Sequence, residues 1–442
     1  MQEDLKYRLT QHLIVISFDA MSTEDFKRAS ELPHFREFLQ NAAYCKNVRS
    51  VYPSLTYPAH TSIVTGRWPK DHGIVNNTLL QPKRKSPDWY WKRRYVQGET
   101  IYDRAIQEKM KVAALLWPVT AKSKIQYNLP EIFANRPWQN QITVSLLNGT
   151  PWYQLELNRR FGYLRQGLNQ PALDNFVHQS LLYTLKKYRP DLTLVHFSDL
   201  DAQKHHYGVA SKESAAAIIR FDQRLGEVIE TLRREGLYEK STVVLLGDHG
   251  AIDEDKVIYL NGLLAQKGYI TLKDNKICDW NVIAKHCDGS SYIYLESKAD
   301  ARLKEDVGKL LKGLAEEDQS GIEAVYSASE AAEMGADPEC AFMLEAQSGY
   351  YFSDAVEPDL IKTLEDGEIG GNGEFTAATH GYSPLKPGYT TVFAAAGRGI
   401  KPNLEIGRMS LLDEGPTMAR LLGLRLNESE GRILEEFIYE KD

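Results

Sequence analysis

Unbroken apolar runs of strand length punctuate this chain. Leu13–Phe18 (LIVISF), Val112–Trp117 (VAALLW), Asp191–Phe197 (DLTLVHF) and Ser241–Leu246 (STVVLL) show no polar alternation. Such runs read as strands covered on both faces. Between them, residues 31–41, Thr100–Lys109, Leu173–Tyr188 and Lys212–Glu235 carry helical periodicity. The last places Ile218, Ile219, Leu225, Val228, Ile229 and Leu232 on its apolar side. Asn47–Val51 reads as a short strand leading into a turn at Thr56, between Pro53 and Pro58, with a helix over Thr61–Thr65. Residues 78–98 read as a surface excursion, and 118–171 as irregular structure over part of a site. Strand alternating with helix predicts an α/β fold with a mostly parallel central sheet.

That rhythm breaks after residue 250. Strands at Tyr292–Leu295, Glu323–Tyr326 and Phe342–Glu345, with a helix over 298–316, predict an inserted cap of mixed elements. The expected division is a core of 1–250 and 376–442 interrupted by a cap of 251–375. Thr391–Ala396 is its last strand and Leu411–Leu422 its closing helix.

Polar residues cluster where the strands end. Asp19 directly follows LIVISF, a position that also suits a helix N-cap before Ser22–Thr23. Asp201 and His205 stand four apart and share one face if a helix starts there, while His206 points elsewhere. Asp248–His249 lies between glycines directly after STVVLL, where a turn would favour Asp-Gly. His380 stands in Thr379-His380-Gly381. In a parallel sheet the strand carboxyl ends share one edge. Three carboxylates converging there repel one another unless cations neutralise them. Histidines beside them point to zinc or another borderline metal rather than magnesium alone. Asp19, Thr56, Asp201, His205, Asp248, His249 and His380 are too many donors for one tetrahedral ion and suit two. Paired ions can clamp the attacking and non-bridging oxygens in phosphoryl transfer. Thr56 at such a site is a candidate nucleophile, and backbone N–H groups after it would face a bound anion.

Composition narrows the partners. The 442 residues are 43% hydrophobic and 26% charged, which suits a large core. A net charge of −7 and a pI near 6.0 give no electrostatic basis for nucleic-acid binding. Cys45, Cys278, Cys287 and Cys340 form no CxxC pair and read as free thiols of a reducing compartment. The first apolar run is too short for a leader or a membrane span. The expectation is a cytoplasmic protein acting on a small molecule, with neither nucleic acid nor membrane as partner. Oligomeric state is not legible.

These motifs, in this order, resemble the nucleotide pyrophosphatase/phosphodiesterase (type I phosphodiesterase) family of the alkaline phosphatase superfamily. The resemblance runs from the Asp19 strand through the Thr56 segment, Trp117-Pro118, Asp201-x-x-x-His205, Gly247-Asp248-His249-Gly250 and His380-Gly381 to Pro416-Thr417. It implies an alkaline-phosphatase-like α/β/α sandwich with an inserted cap. It also implies two zinc ions, with manganese or iron as alternatives at one site. Asp201, His205 and His380 would hold one ion. Asp19, Asp248 and His249 would hold the other, with Thr56 as nucleophile on it. Asn77 would bind a phosphate oxygen together with the Tyr57 backbone N–H, and the Tyr57 side chain would stack on a base or cover the leaving group. The implied substrate is a phosphodiester or nucleotide. A phosphomonoesterase or other phosphoryl-cleaving hydrolase on the same metals is the alternative. A catalytically silent metal-binding recognition protein would have no need of Thr56. Two departures stand out: Ala59 replaces an asparagine common in the family, and the disulfides, secretion or membrane anchoring of many relatives are not evident here.

Overall fold

Successive residues of β1 (His12–Phe18) face opposite ways, and each face meets its own core. Leu13 and Val15 belong to one apolar cluster, Ile14, Ile16 and Phe18 to another. The structure, a computed structural model, describes residues 8–298, 300–370 and 373–439. The same split recurs in β5 (Leu192–Phe197) and β6 (Ser241–Leu246). Their sequences lack polar alternation because neither face meets water.

The central sheet has nine strands. Its order is Leu404–Ile406, β2 (Ala42–Arg49), Thr391–Gly397, β6, β1, β5, β3 (Val112–Leu115), β4 (Tyr127–Leu129), with Met409–Ser410 also paired to β2. Every pairing is parallel except those of Thr391–Gly397 with β2 and β6. Ala59, Ile63, Ile101, Tyr102, Met418 and Leu422 cover one face. Phe26, Phe35, Phe176, Leu181, Phe221 and Val228 cover the other. The result is helices, sheet, helices.

Residues 251–375 supply most of a separate apolar cluster, which Tyr382 and Tyr389 join. Its centre is an antiparallel sheet of Val282–Cys287, Ser290–Leu295, Phe342–Ala346 and Ile322–Ser327, in that order. Val307, Leu311 and Leu314 of the helix Ala301–Ala315 pack against it. The tight turn at Asp288–Gly289 reaches the carboxyl edge of the central sheet, where the Gly289 N–H donates to the His380 carbonyl at 2.8 Å.

Three expectations need correction. Residues 118–171 are not irregular: they hold β4 and helices Gln141–Asn148 and Pro151–Phe161. The first of these helices has no buried residue, so no core-facing stripe betrayed it. Residues 78–98 are not wholly an excursion, because Trp91 and Val96 are buried in a cluster with Tyr57, Ile74, Val119 and Ile132. Thr56 lies in no turn. It is the first residue of the helix Thr56–Thr65, and Pro58 falls in the first turn, where its missing N–H costs nothing.

Candidate metal centre and nucleophile

Three adjacent strands deliver the carboxylates. Asp19 follows β1, Asp248 follows β6 by one glycine, and Asp201 stands in the helix Asp199–Tyr207 that starts just past β5. The structure gathers them into two groups, Asp19–Asp248–His249 and Asp201–His205–His380. Within each group the donor atoms lie within 4.8 Å of one another. His249 Nε2 is 3.3 Å from Asp19 Oδ1, 3.1 Å from Asp248 Oδ2 and 3.2 Å from Thr56 Oγ1. His205 Nε2 is 3.3 Å from Asp201 Oδ1, and His380 Nε2 is 3.9 Å from that same oxygen. The His249 and His380 rings stack at 4.0 Å, which sets the two groups side by side.

Neighbouring groups aim these side chains. His205 Nδ1 is 2.7 Å from the Ala378 carbonyl, and His249 Nδ1 is 3.0 Å from that of Gly250. A carbonyl only accepts, so each Nδ1 carries the proton and each Nε2 is left as a donor to metal. The Ala20 N–H donates to Asp248 Oδ1 at 3.0 Å, and His196 Nε2 meets Asp19 Oδ2 at 3.0 Å. Gly381 lets the His380 loop close: its φ is +81°, and a Cβ would stand 1.8 Å from the Cys287 carbonyl oxygen.

What these contacts leave over tests the fit to a cation. Asp19 Oδ1, Asp248 Oδ2, Asp201 Oδ1 and His380 Nδ1 are buried without a hydrogen-bond partner among the described residues. Buried charged oxygens without partners are costly, and coordination to a divalent ion would satisfy them. Carboxylate and imidazole donors suit zinc.

Electrostatics agree. Burial, then Asp248 and Asp201, push the Asp19 carboxyl up to about 7. Burial, with Asp201 adding repulsion, raises Asp248 to about 7 as well. Burial and then the neighbouring His249 lower His380 to about 4. For His205 burial works downward, but Asp201 outweighs it and raises the imidazole to about 10. Burial likewise opposes ionisation of Asp201, yet His205 holds that carboxyl below its ordinary value. A metal-free site therefore holds protons that a cation would displace.

Thr56 is 8% exposed at the head of its helix, beside this centre. One turn on, His60 Nδ1 is 2.8 Å from the Thr56 carbonyl and His60 Nε2 is 2.8 Å from Ser17 Oγ. Asn77 is close: its Oδ1 accepts the Tyr57 N–H at 2.9 Å. That amide is thus engaged with Asn77, and the geometry leaves the Asn77 amide nitrogen for a ligand. The Tyr57 ring is fully buried, edge-on to Trp89 at 5.2 Å, and its hydroxyl donates to Glu131 Oε1 at 3.1 Å. In this conformation it offers no face to a base. His206 is exposed. Sequence reasoning missed His196, Glu131 and His60. Only His196 had a signal, as the histidine near the end of an otherwise apolar strand.

An α/β/α sandwich with two groups of candidate His/Asp donors and a threonine at the carboxyl edge of its sheet suits phosphoryl-transfer hydrolysis. Comparison with known proteins narrows the class. The chain belongs to the type I phosphodiesterase/nucleotide pyrophosphatase family, whose model matches residues 13–383. Bis(5'-adenosyl)-triphosphatase ENPP4 of Bos taurus is 24% identical over 440 residues, covering 95% of this chain and 80% of its own. Human ectonucleotide pyrophosphatase/phosphodiesterase family member 1 is 28% identical over 248 residues, 53% of this chain and 23% of its own. The structure of murine ectonucleotide pyrophosphatase/phosphodiesterase 5 superposes with a TM-score of 0.67 at 19% identity, over 97% of this chain and 100% of that one. The fold is therefore alkaline-phosphatase-like.

Two of these relatives overturn the cytoplasmic expectation, since they are ectonucleotide enzymes by name. The four cysteines are indeed unpaired, with only Cys278 exposed, but free thiols do not fix a compartment. No helix among the described residues is long and apolar enough to cross a membrane.

Proposed function

We propose that this chain is a two-zinc phosphodiesterase/nucleotide pyrophosphatase that works through a phospho-threonine intermediate. The observation that carries the reading is the Thr56 hydroxyl, 3.2 Å from His249 Nε2, beside buried carboxylate oxygens that lack partners. Asp19, Asp248 and His249 would hold one zinc, and Asp201, His205 and His380 the other. Bound zinc would supply the charge that acidifies a hydroxyl and neutralises phosphoryl oxygens.

The chain's own groups do the rest. Thr56 Oγ attacks phosphorus in line; the new O–P bond forms as the bond to the leaving oxygen breaks. Water then cleaves the phospho-threonine, restoring the hydroxyl and releasing the second product. Helix packing and the His60 contact to the Thr56 carbonyl fix the nucleophile's backbone. Asn77, held by the Tyr57 N–H, presents its amide nitrogen to a non-bridging oxygen.

A nucleotide substrate is supported by the relatives: one is named a bis(5'-adenosyl)-triphosphatase, and an inactive variant of the murine enzyme was solved with AMP. The core 1–250 and 376–442 carries the chemistry, and the 251–375 cap borders it through Asp288–Gly289. The test is a panel of matched phosphodiesters, pyrophosphates and monoesters on zinc-loaded protein. Hydrolysis of none of them would refute the reading.

A further inference from the structure

Lys204 lies between two of the candidate ligands, Asp201 and His205, on the helix Asp199–Tyr207, and it is fully buried. Its ammonium donates to Asp25 Oδ2 at 2.5 Å and to the Ala20 carbonyl at 2.7 Å. Asp25 is itself 1% exposed, and the same oxygen accepts the Ser22 N–H at 2.9 Å and the Ser22 hydroxyl at 2.6 Å. Ala20 is gripped from both sides, since its N–H donates to Asp248 Oδ1 at 3.0 Å. It also adopts φ +59°, a left-handed conformation that alanine rarely takes. A single residue next to Asp19 thus touches Asp248 through its nitrogen and the Asp201–His205 helix through its oxygen.

We infer that Lys204 is a positioning residue that ties the two ligand groups to each other. It holds the Asp19–Ala20 loop, and through Ala20 the Asp248 carboxylate, at a fixed offset from Asp201 and His205. The inference rests on the two-ion reading above. A bare need to anchor this helix does not explain the pair, because apolar side chains of similar volume usually anchor as well as a buried ion pair or better. What an apolar residue lacks is a donor for the Ala20 carbonyl. The left-handed alanine fits the same account, since strained backbone persists where its surroundings over-determine it.

The test compares Lys204→Met/Asp25→Asn with Asp25→Asn alone in the full chain. The double variant removes the donor and leaves no unpaired charge. The single variant keeps Lys204 on Ala20. Near-UV circular dichroism reports the fold, and zinc affinity is read by competition with a chromogenic chelator. Bis(p-nitrophenyl) phosphate reports kcat and KM separately. Asp25→Asn should keep its zinc affinity within about threefold. The folded double variant should bind its second zinc at least tenfold more weakly and lose kcat with little change in KM. Lys204→Gln/Asp25→Asn, whose amide stops one atom short, should behave like the methionine form. A folded double variant with wild-type affinity for both zincs overturns the tie alone. Both doubles failing to fold also overturns it, because the pair would then be holding the fold. Wild-type protein that takes up no zinc removes the two-ion reading and this inference with it.

Discussion

Replacing Thr56 by alanine separates a nucleophile from a helix-start residue. Among the described residues the side chain has one polar contact, 3.2 Å to His249 Nε2, and it caps nothing, because the N-cap is Leu55 without a side-chain bond. Alanine is the better helix former by a few tenths of a kcal/mol, while the lost hydrogen bond costs ~1 kcal/mol. The net change is within ~1 kcal/mol, a shift of roughly 2 °C in melting temperature for a chain of this size. Zinc should stay, since Asp19, Asp248 and His249 remain as donors. Turnover should instead fall by a factor on the order of 10⁴ to 10⁶, the scale of removing a covalent nucleophile. That is roughly 5.5 to 8 kcal/mol of barrier. Thr56→Ser should keep part of the rate, with looser rotamer control. The assay is kcat on a chromogenic diester, with melting temperature and zinc content measured on the same preparations. A residue that only shapes the helix predicts the reverse, lower stability with near-normal turnover per folded molecule. Zinc-loaded Thr56→Ala that still turns over would end the covalent mechanism.

Other expectations test the same centre. His196→Ala removes the partner of Asp19 Oδ2; zinc affinity should fall roughly 10- to 100-fold, and unchanged affinity in a chelator competition would dismiss the contact as incidental. Calorimetry in buffers of different ionisation enthalpy should count more protons released on zinc loading at pH 6 than at pH 8. Asp19 and Asp248, raised to about 7, hold protons only in the more acidic buffer, whereas His205, raised to about 10, holds one in both; a release that does not grow as pH falls would contradict these shifts. Diesters should exceed matched monoesters in kcat/KM, and the opposite ranking across several pairs would favour a monoesterase. Gly381→Ala should cost several kcal/mol, because the added Cβ meets the Cys287 carbonyl oxygen at 1.8 Å; a melting temperature within a degree of wild type would show that the loop yields.

The strands were legible because burial on both faces leaves unbroken apolar runs, and the acids after them because a strand end in such a sheet meets a ligand edge. Strand order was not, since no residue of β1 announces that β5 and β6 will flank it. Thr56 misled through its prolines. Pro53 and Pro58 suggest a turn, yet proline in the first turn of a helix is equally natural, and the helix begins at Thr56 itself. The helix Gln141–Asn148 escaped notice because its surface position imposes no periodicity. The buried shell around the ligands is the least legible part. Glu131 and Lys204 each act through a contact distant in sequence, which spacing does not encode.

Topology explains how six candidate ligands scattered from residue 19 to residue 380 reach one place. Ser17 pairs with His196 on one side and Leu246 on the other, so β1, β5 and β6 end level. A slip of one residue would turn every inward side chain to the opposite face. His380 poses a different problem, because it precedes its strand, Thr391–Gly397, instead of following it. In a parallel strand that would put it at the wrong edge. This strand is the antiparallel one, so its first residues lie level with the last residues of its neighbours: Phe393 pairs with Leu246, and the Gly247 N–H donates to the Val392 carbonyl at 3.0 Å. The chain therefore arrives first at the carboxyl edge, brings His380 there, and only then enters the sheet. On the far side of that strand β2 runs antiparallel to it, hence parallel to β6, and exits at the same edge toward Thr56. The one reversal in the sheet thus lets a histidine before a strand and a threonine after one meet the same carboxylates.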